Sequence, residues 1–341
     1  MFARLKRRMR LRPYSTTARL FFAAILTVIA VGRVADEINL MVFTSQLDTL
    51  RAPVSGETLT TVEWHFEFQR GVCSVSVDVP RESFERAAAI PTSEIFSSRG
   101  SVRDRYVGRL VDALAHDEVV ARVIDDLRDT RDRLGLDSDE YLELMVHAVQ
   151  AIPYGVVDRD IELPAELLVA GRGVCTETSL LLGAMLVHEG YETVMWAFDS
   201  QHHIALGVAG NGALFRGSRY TFIETTATRY VGQVEPKYNG YAAYVPPPAV
   251  IELGGTRAYL AGHETDFLLR VLQAAEKDSA LGERLASRAA RSVGSWREEY
   301  ARRAEEHLSA SRIARFINEN VHDRPGAYAA LVYETPVVLT R

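Results

Sequence analysis

Cys175, His203 and Glu224 occur in the order nucleophile, base, carboxylate, each at the edge of an element that the sequence predicts. A glycine-rich turn (Gly171, Gly173) delivers Cys175 to the start of an apolar run with helical spacing that stops at Gly190, a residue suited to a helix C-cap. The first turn of a helix offers unpaired N–H groups and the positive end of the dipole, and both favour a thiolate. A histidine beside the sulfur stabilises that thiolate and can later protonate a leaving group. A carboxylate behind the histidine fixes its tautomer and orientation.

Two β-like segments must position the second and third groups. One opens with His202-His203 and the other closes on Glu224, with a loop containing Gly210, Gly212 and Gly217 between them. If 203–208 and 219–224 form a hairpin symmetric about that loop, His203 lies opposite Glu224, within reach of a side-chain hydrogen bond. The alternation Ile204, Leu206, Val208 places His202 on their face. His203 then falls with Ala205 and Gly207, small residues that leave a shallow surface, so His203 is preferred as the base. Each residue also has a bland alternative: Cys175 as a small buried hydrophobe, Glu224 as a solvated strand end. Gln150 is a candidate side-chain donor to an oxyanion, with a plain helix-surface role as its alternative.

These residues resemble the core of the transglutaminase-like superfamily, whose papain-like fold sets a nucleophilic Cys on a helix and His and Asp on adjacent strands. The resemblance extends to AVQAIPY (148–154), LPAELLVAGRGVC (163–175) and YTFIETTATRYVGQVEP (220–236), about 90 residues in all, and more loosely from Trp64 onward. It implies that Cys175 is the nucleophile, His203 the base and Glu224 the orienting carboxylate, where many relatives have Asp. It also implies acyl transfer on a peptide or glutamine amide, as a protease, deamidase or transglutaminase. The chain departs from the pattern around the thiol: Val174, Thr176 and Glu177 stand where relatives often carry acids. That departure keeps a second expectation open, a non-catalytic ectodomain that binds a cell-envelope partner.

The chain has 341 residues, enough to bury a substantial core, and 47% hydrophobic with 25% charged residues argues against wholesale disorder. A net charge of −6 gives no electrostatic case for nucleic acid. The charge is uneven, for the first 19 residues hold seven Arg and Lys and no acid. They precede thirteen residues, 20–32, in which Thr27 is the only polar side chain. That length fits a signal-peptide core and is short for a spanning helix, but Arg19 and Arg33 can snorkel. The expectation is a single N-terminal membrane anchor with the domain outside the cytoplasm. Signal cleavage with secretion, or a buried N-terminal helix, is the alternative.

The fold class expected is α+β, with five regions. Residues 1–35 form the basic anchor and 36–58 a juxtamembrane helix and linker. Residues 59–134 hold a β-hairpin (60–68 and 73–79) and charged amphipathic helices, 135–250 the core, and 251–341 a helical extension. A helix from Ser138 to Ala151 is capped by Asp137 or Ser138, Pro153 ends it, and the loop VVDRDIELPAELL (156–168) follows. Tyr238–Tyr244 and three prolines make an exit loop that either borders a cleft or crosses the surface, and 328–339 is a weak edge strand. Cys73 alternates with valines and reads as packed, so a Cys73–Cys175 disulfide is not expected. Asp158, Asp160 and Glu162 lack metal-ligand clustering, and neither a metal nor a cofactor is expected.

Overall fold

The computed structural model describes residues 16–305, except 55, 70, 94, 96–99, 157–160, 235–236, 239–240, 243–245 and 292–296. The expected final strand at 328–339 and the basic residues 1–15 lie outside the described residues. The chain divides into two compact units, 1–45 and 46–341.

The first unit is the body of one long helix, α1 (Thr16–Leu47). The regions expected at 1–35 and 36–58 thus share one helix, with no break near 35. Val28, Val31, Val34, Ile38 and Met41 on it are exposed. No helix among the described residues is long and apolar enough to cross a membrane. Asp36 and Glu37 follow Arg33 within a few residues of the apolar stretch, which keeps that stretch short.

The second unit opens with the antiparallel hairpin β1 (Thr58–Phe68) and β2 (Gly71–Pro80), in which Phe66 faces Cys73. Cys73 is buried and burial pushes its thiol up; both cysteines are free. Next come α2 (Arg81–Ala89), α3 (Ser101–Leu114), α4 (Glu118–Leu134) and α5 (Ser138–Gln150). The apolar residues that define α3 and α4 in the sequence (Val107, Leu110, Val111, Leu114; Val119, Val120, Val123, Ile124, Leu127) are all buried. Asp117 separates the two helices, its carboxylate accepting from the N–H groups of Val119 and Val120 at 2.9 and 3.3 Å. A capping box starts α5: Asp137 accepts from Glu140 N–H, and the Glu140 carboxylate accepts from Asp137 N–H.

The segment expected to be a loop before the cysteine contains a helix, α6 (Pro164–Ala170). Pro164 sits at its first position, and Glu166 reaches back to the Leu163 N–H at 3.0 Å. Then come α7 (Cys175–His188), β3 (Thr193–Phe198), β4 (His203–Ala209), β5 (Tyr220–Ile223), the short pair β6 (Lys237–Tyr238) and β7 (Tyr241–Ala242), β8 (Ala249–Gly254) and α8 (Gly262–Arg291). Residues 297–305 are helical again.

The central sheet is antiparallel, in the order β5-β4-β3-β8, so the architecture is α+β. The boundary expected at 250 falls inside β8, which pairs with β3; the C-terminal region thus contributes a sheet strand before it turns helical. One face of the sheet carries an aromatic layer built from Trp196, Phe198, Phe215, Phe222 and Tyr238. The surface beside Gly207 is not shallow as expected. Trp196 fills it, and a Cβ on Gly207 would lie 2.6 Å from the indole.

Candidate active site

Cys175 is the first residue of α7, and its helix is anchored locally. Glu177, three residues into the run, accepts from the Val174 N–H at 3.0 Å. This is the carboxylate half of a capping box, and it leaves the N–H groups of Cys175 and Thr176 without partners among the described residues. Glu177 is buried, and burial raises its carboxyl above the usual range despite nearby backbone N–H groups.

His203 is the first residue of β4 and reaches its place through a tight turn from β3. His202, in that turn, has φ +49° and ψ +50°, left-handed values that a non-glycine residue adopts at some cost. Arg103, its side chain 4% exposed, anchors the turn by donating to Asp199 at 2.7 Å. The structure thus separates the two neighbouring histidines: His202 is exposed in the turn and His203 is buried at the strand start.

Glu224 follows β5 directly. The ladder pairs Leu206 with Ile223 and Gly207 with Phe222, which places Glu224 beside Ala205 in register, not His203. The symmetric hairpin is therefore off by two residues. The cause lies in the loop, where Leu214 bridges Thr221 and the Thr221 hydroxyl donates to the Gly212 carbonyl at 2.8 Å. A two-residue slip keeps both side chains on the same face as diagonal neighbours, still within reach of long side chains. His203 Nε2 lies 3.1 Å from Glu224 Oε2.

Cys175 lies close enough to the His203 imidazole to act on its titration. With Nε2 engaged by Glu224, the nitrogen left for the sulfur is Nδ1. The three residues singled out in the sequence meet in space. Burial alone would depress the His203 imidazole; the nearness of Cys175 and the bond to Glu224, with their charges, outweigh it and push the group up to about 9. Burial would likewise raise Glu224, but its bond to His203, the imidazolium charge and Thr226 hold the carboxyl below its ordinary value. Its second oxygen accepts from the N–H groups of Thr225 and Thr226, both at 3.0 Å, and from the Thr226 hydroxyl at 2.7 Å.

Gln150 has a different place from the one expected. Its amide nitrogen donates to the Glu224 carbonyl at 2.8 Å and to the Arg229 carbonyl at 3.2 Å, while its oxygen accepts from the Arg229 N–H at 3.2 Å. Both amide hydrogens are engaged, so Gln150 holds the turn that carries Glu224 and does not face an oxyanion. Helix α7 holds the same turn: the Thr225 hydroxyl bonds those of Thr178 and Ser179, each at 3.0 Å. Neither hydroxyl on α7 was singled out in the sequence.

Tyr238 is the other residue that sequence reasoning left undecided. Its ring stacks on the His203 imidazole with centroids 4.0 Å apart and planes 19° apart. A π-face against a cationic ring is favourable, so part of the exit loop packs on the site. No group of three or more His, Cys, Asp or Glu among the described residues could hold a metal ion. Comparison with protein-family models, with curated proteins and with solved structures finds no match to this chain.

Proposed function

We propose that this chain is a cysteine-dependent acyl-transfer enzyme acting on peptide or glutamine amide bonds, of the transglutaminase-like kind that its residues resemble. The observation that carries the reading is that His203 is bonded to Glu224 and lies close enough to Cys175 for each to act on the imidazole. A protonated imidazole against the sulfur favours the thiolate, and an imidazole pushed up to about 9 stays protonated at neutral pH.

The thiolate adds to the amide carbonyl carbon, forming a C–S bond and moving the π electrons onto oxygen. The N–H groups of Cys175 and Thr176, without partners among the described residues, are suited to hold that oxyanion. His203 gives its proton to the departing nitrogen, the C–N bond breaks, and a thioester remains. Neutral His203 then takes a proton from water or an amine as it attacks the thioester, and Cys175 leaves as thiolate. Water gives protease or deamidase activity, and an amine gives transglutamination.

One observation favours the second reading, a binding ectodomain: Cys175 is only 8% exposed. The basic start, the apolar stretch 20–32 and the exposed apolar residues of α1 support tethering at a cell membrane, with the domain outside the cytoplasm. The test is iodoacetamide labelling of Cys175 against pH, in the parent and in His203→Ala. Rapid labelling below about pH 7 that collapses in the variant supports the enzyme. Labelling that follows an ordinary thiol near about pH 8.5 in both proteins rejects it.

A further inference from the structure

The segment 153–156 runs beside Gly173, two residues before the nucleophile, as a minimal piece of parallel ladder. The Gly173 N–H donates to the Pro153 carbonyl at 3.1 Å, and the Gly155 N–H donates to the Gly173 carbonyl at 3.0 Å. In such a pair the residue between the two bonded neighbours turns its own N–H and C=O to the opposite edge. That residue is Tyr154, and neither group has a partner among the described residues.

The segment is well held. Arg172 donates from Nε to the Val156 carbonyl at 3.1 Å, and a Cβ on Gly155 would lie 2.8 Å from its side chain, so a larger residue there would have to displace it. The apolar side chains on this edge point outward: Tyr154 is 66% and Val156 80% exposed. The edge also adjoins the chemistry. Partial burial raises the Tyr154 phenol, and the charges of Cys175, Glu177 and Glu224 act on it in the same direction.

We propose that the outer edge of Tyr154 is the main-chain anchor of a peptide-binding subsite. An extended polypeptide pairs with the Tyr154 N–H and C=O and lays an apolar side chain against Tyr154 and Val156. This is strand addition reduced to one residue: main-chain bonds give purchase and the neighbouring side chains give preference. It rests on the acyl-transfer reading and narrows it, because a free amide lacks the backbone that this edge recognises.

The test uses the full chain and a library of acetylated tripeptides bearing a chloromethyl ketone, either at the C-terminus or in place of a glutamine side-chain amide. Chloroacetone is the reference reagent. The best members should alkylate Cys175 at least about tenfold faster than chloroacetone. N-methylation of one backbone nitrogen should cost roughly fivefold or more, as expected for one lost hydrogen bond, and its neighbours should tolerate it. Tyr154→Pro, which removes the N–H together with the ring that the peptide packs on, should cost at least that factor with the best peptides. The N-methyl series reads the same contact in the unaltered protein, should that variant fold poorly. A library with no member faster than chloroacetone, or a preference indifferent to N-methylation at every position, overturns the subsite. If iodoacetamide labelling still depends on His203 in that case, the catalytic reading stands without it. Labelling indifferent to His203 removes both.

Discussion

His203 Nε2 lies 3.1 Å from Glu224 Oε2, although the two residues are diagonal rather than facing partners in the β4–β5 ladder. The contact exists because Glu224 is held at its turn from two sides, by Gln150 at the end of α5 and by Thr178 and Ser179 through Thr225. The carboxylate is thus aimed by groups that have no role in the chemistry proposed for it.

Replacing the carboxylate tests that aim. Glu224→Gln keeps the shape but loses the charge that helps keep His203 protonated. Iodoacetamide labelling of Cys175 at pH 6 should fall by about tenfold, the equivalent of one pKa unit, with less change at pH 9. An unchanged pH profile would separate Glu224 from the reactivity of the thiol.

Gln150→Leu should act at a distance. The carbonyls of Glu224 and Arg229 and the Arg229 N–H lose their partners, at a cost of about 1–3 kcal/mol in urea unfolding. Labelling at pH 6 should weaken as well, because the turn that aims the carboxylate is released. A variant that loses stability with no change in the pH profile would give Gln150 a purely structural role.

Protonation of His203 links the site to stability. The folded imidazole sits at about 9, above an unfolded value of about 6.5. The folded state therefore holds the proton more tightly. The stabilisation is complete below about pH 6.5 and is lost as pH rises through about 9. Thermal unfolding between pH 6 and pH 10 should show this decline in the parent and a shallower one in His203→Gln.

Asp117 carries the opposite sign of design. Burial lifts its carboxyl to about 6 even though two backbone N–H groups bond it. An acid raised on folding costs stability as pH rises from about 4 through 6. Asp117→Asn retains the cap acceptor without a buried charge. It should match or exceed the parent in denaturant midpoint at pH 8, with the difference shrinking toward pH 4.

Gly207→Ala should be destabilising by about 1–3 kcal/mol. Its methyl would enter the space of the Trp196 ring, and no rotamer of alanine avoids the clash. Chemical denaturation would measure it directly, and a neutral result would mean that the aromatic layer can shift to admit a methyl group.

Much of the site was legible in the chain because its chemistry lies at element edges. Cys175 follows a glycine turn and opens an apolar run, His203 opens an alternating strand, and Glu224 ends another. Local periodicity also located β1, β2, α5 and the apolar faces of α3 and α4. Strand β3 escaped because its sequence, TVMWAF, is a nearly unbroken apolar run without the alternation that marks a half-buried strand. Helix α6, seven residues long, is too short to show a period.

The sequence by itself determined the residue types, their order and the elements that carry them, since capping, alternation and glycine turns are local effects. Only the tertiary structure decided how they meet. The two-residue slip between His203 and Glu224 depends on the bonds inside the 210–219 loop. The role of Gln150 depends on a partner 74 residues away, and the closing of the Gly207 surface on a tryptophan from a strand the periodicity hid. Such pairings are selected by packing the whole core at once, and no window of neighbouring residues contains them.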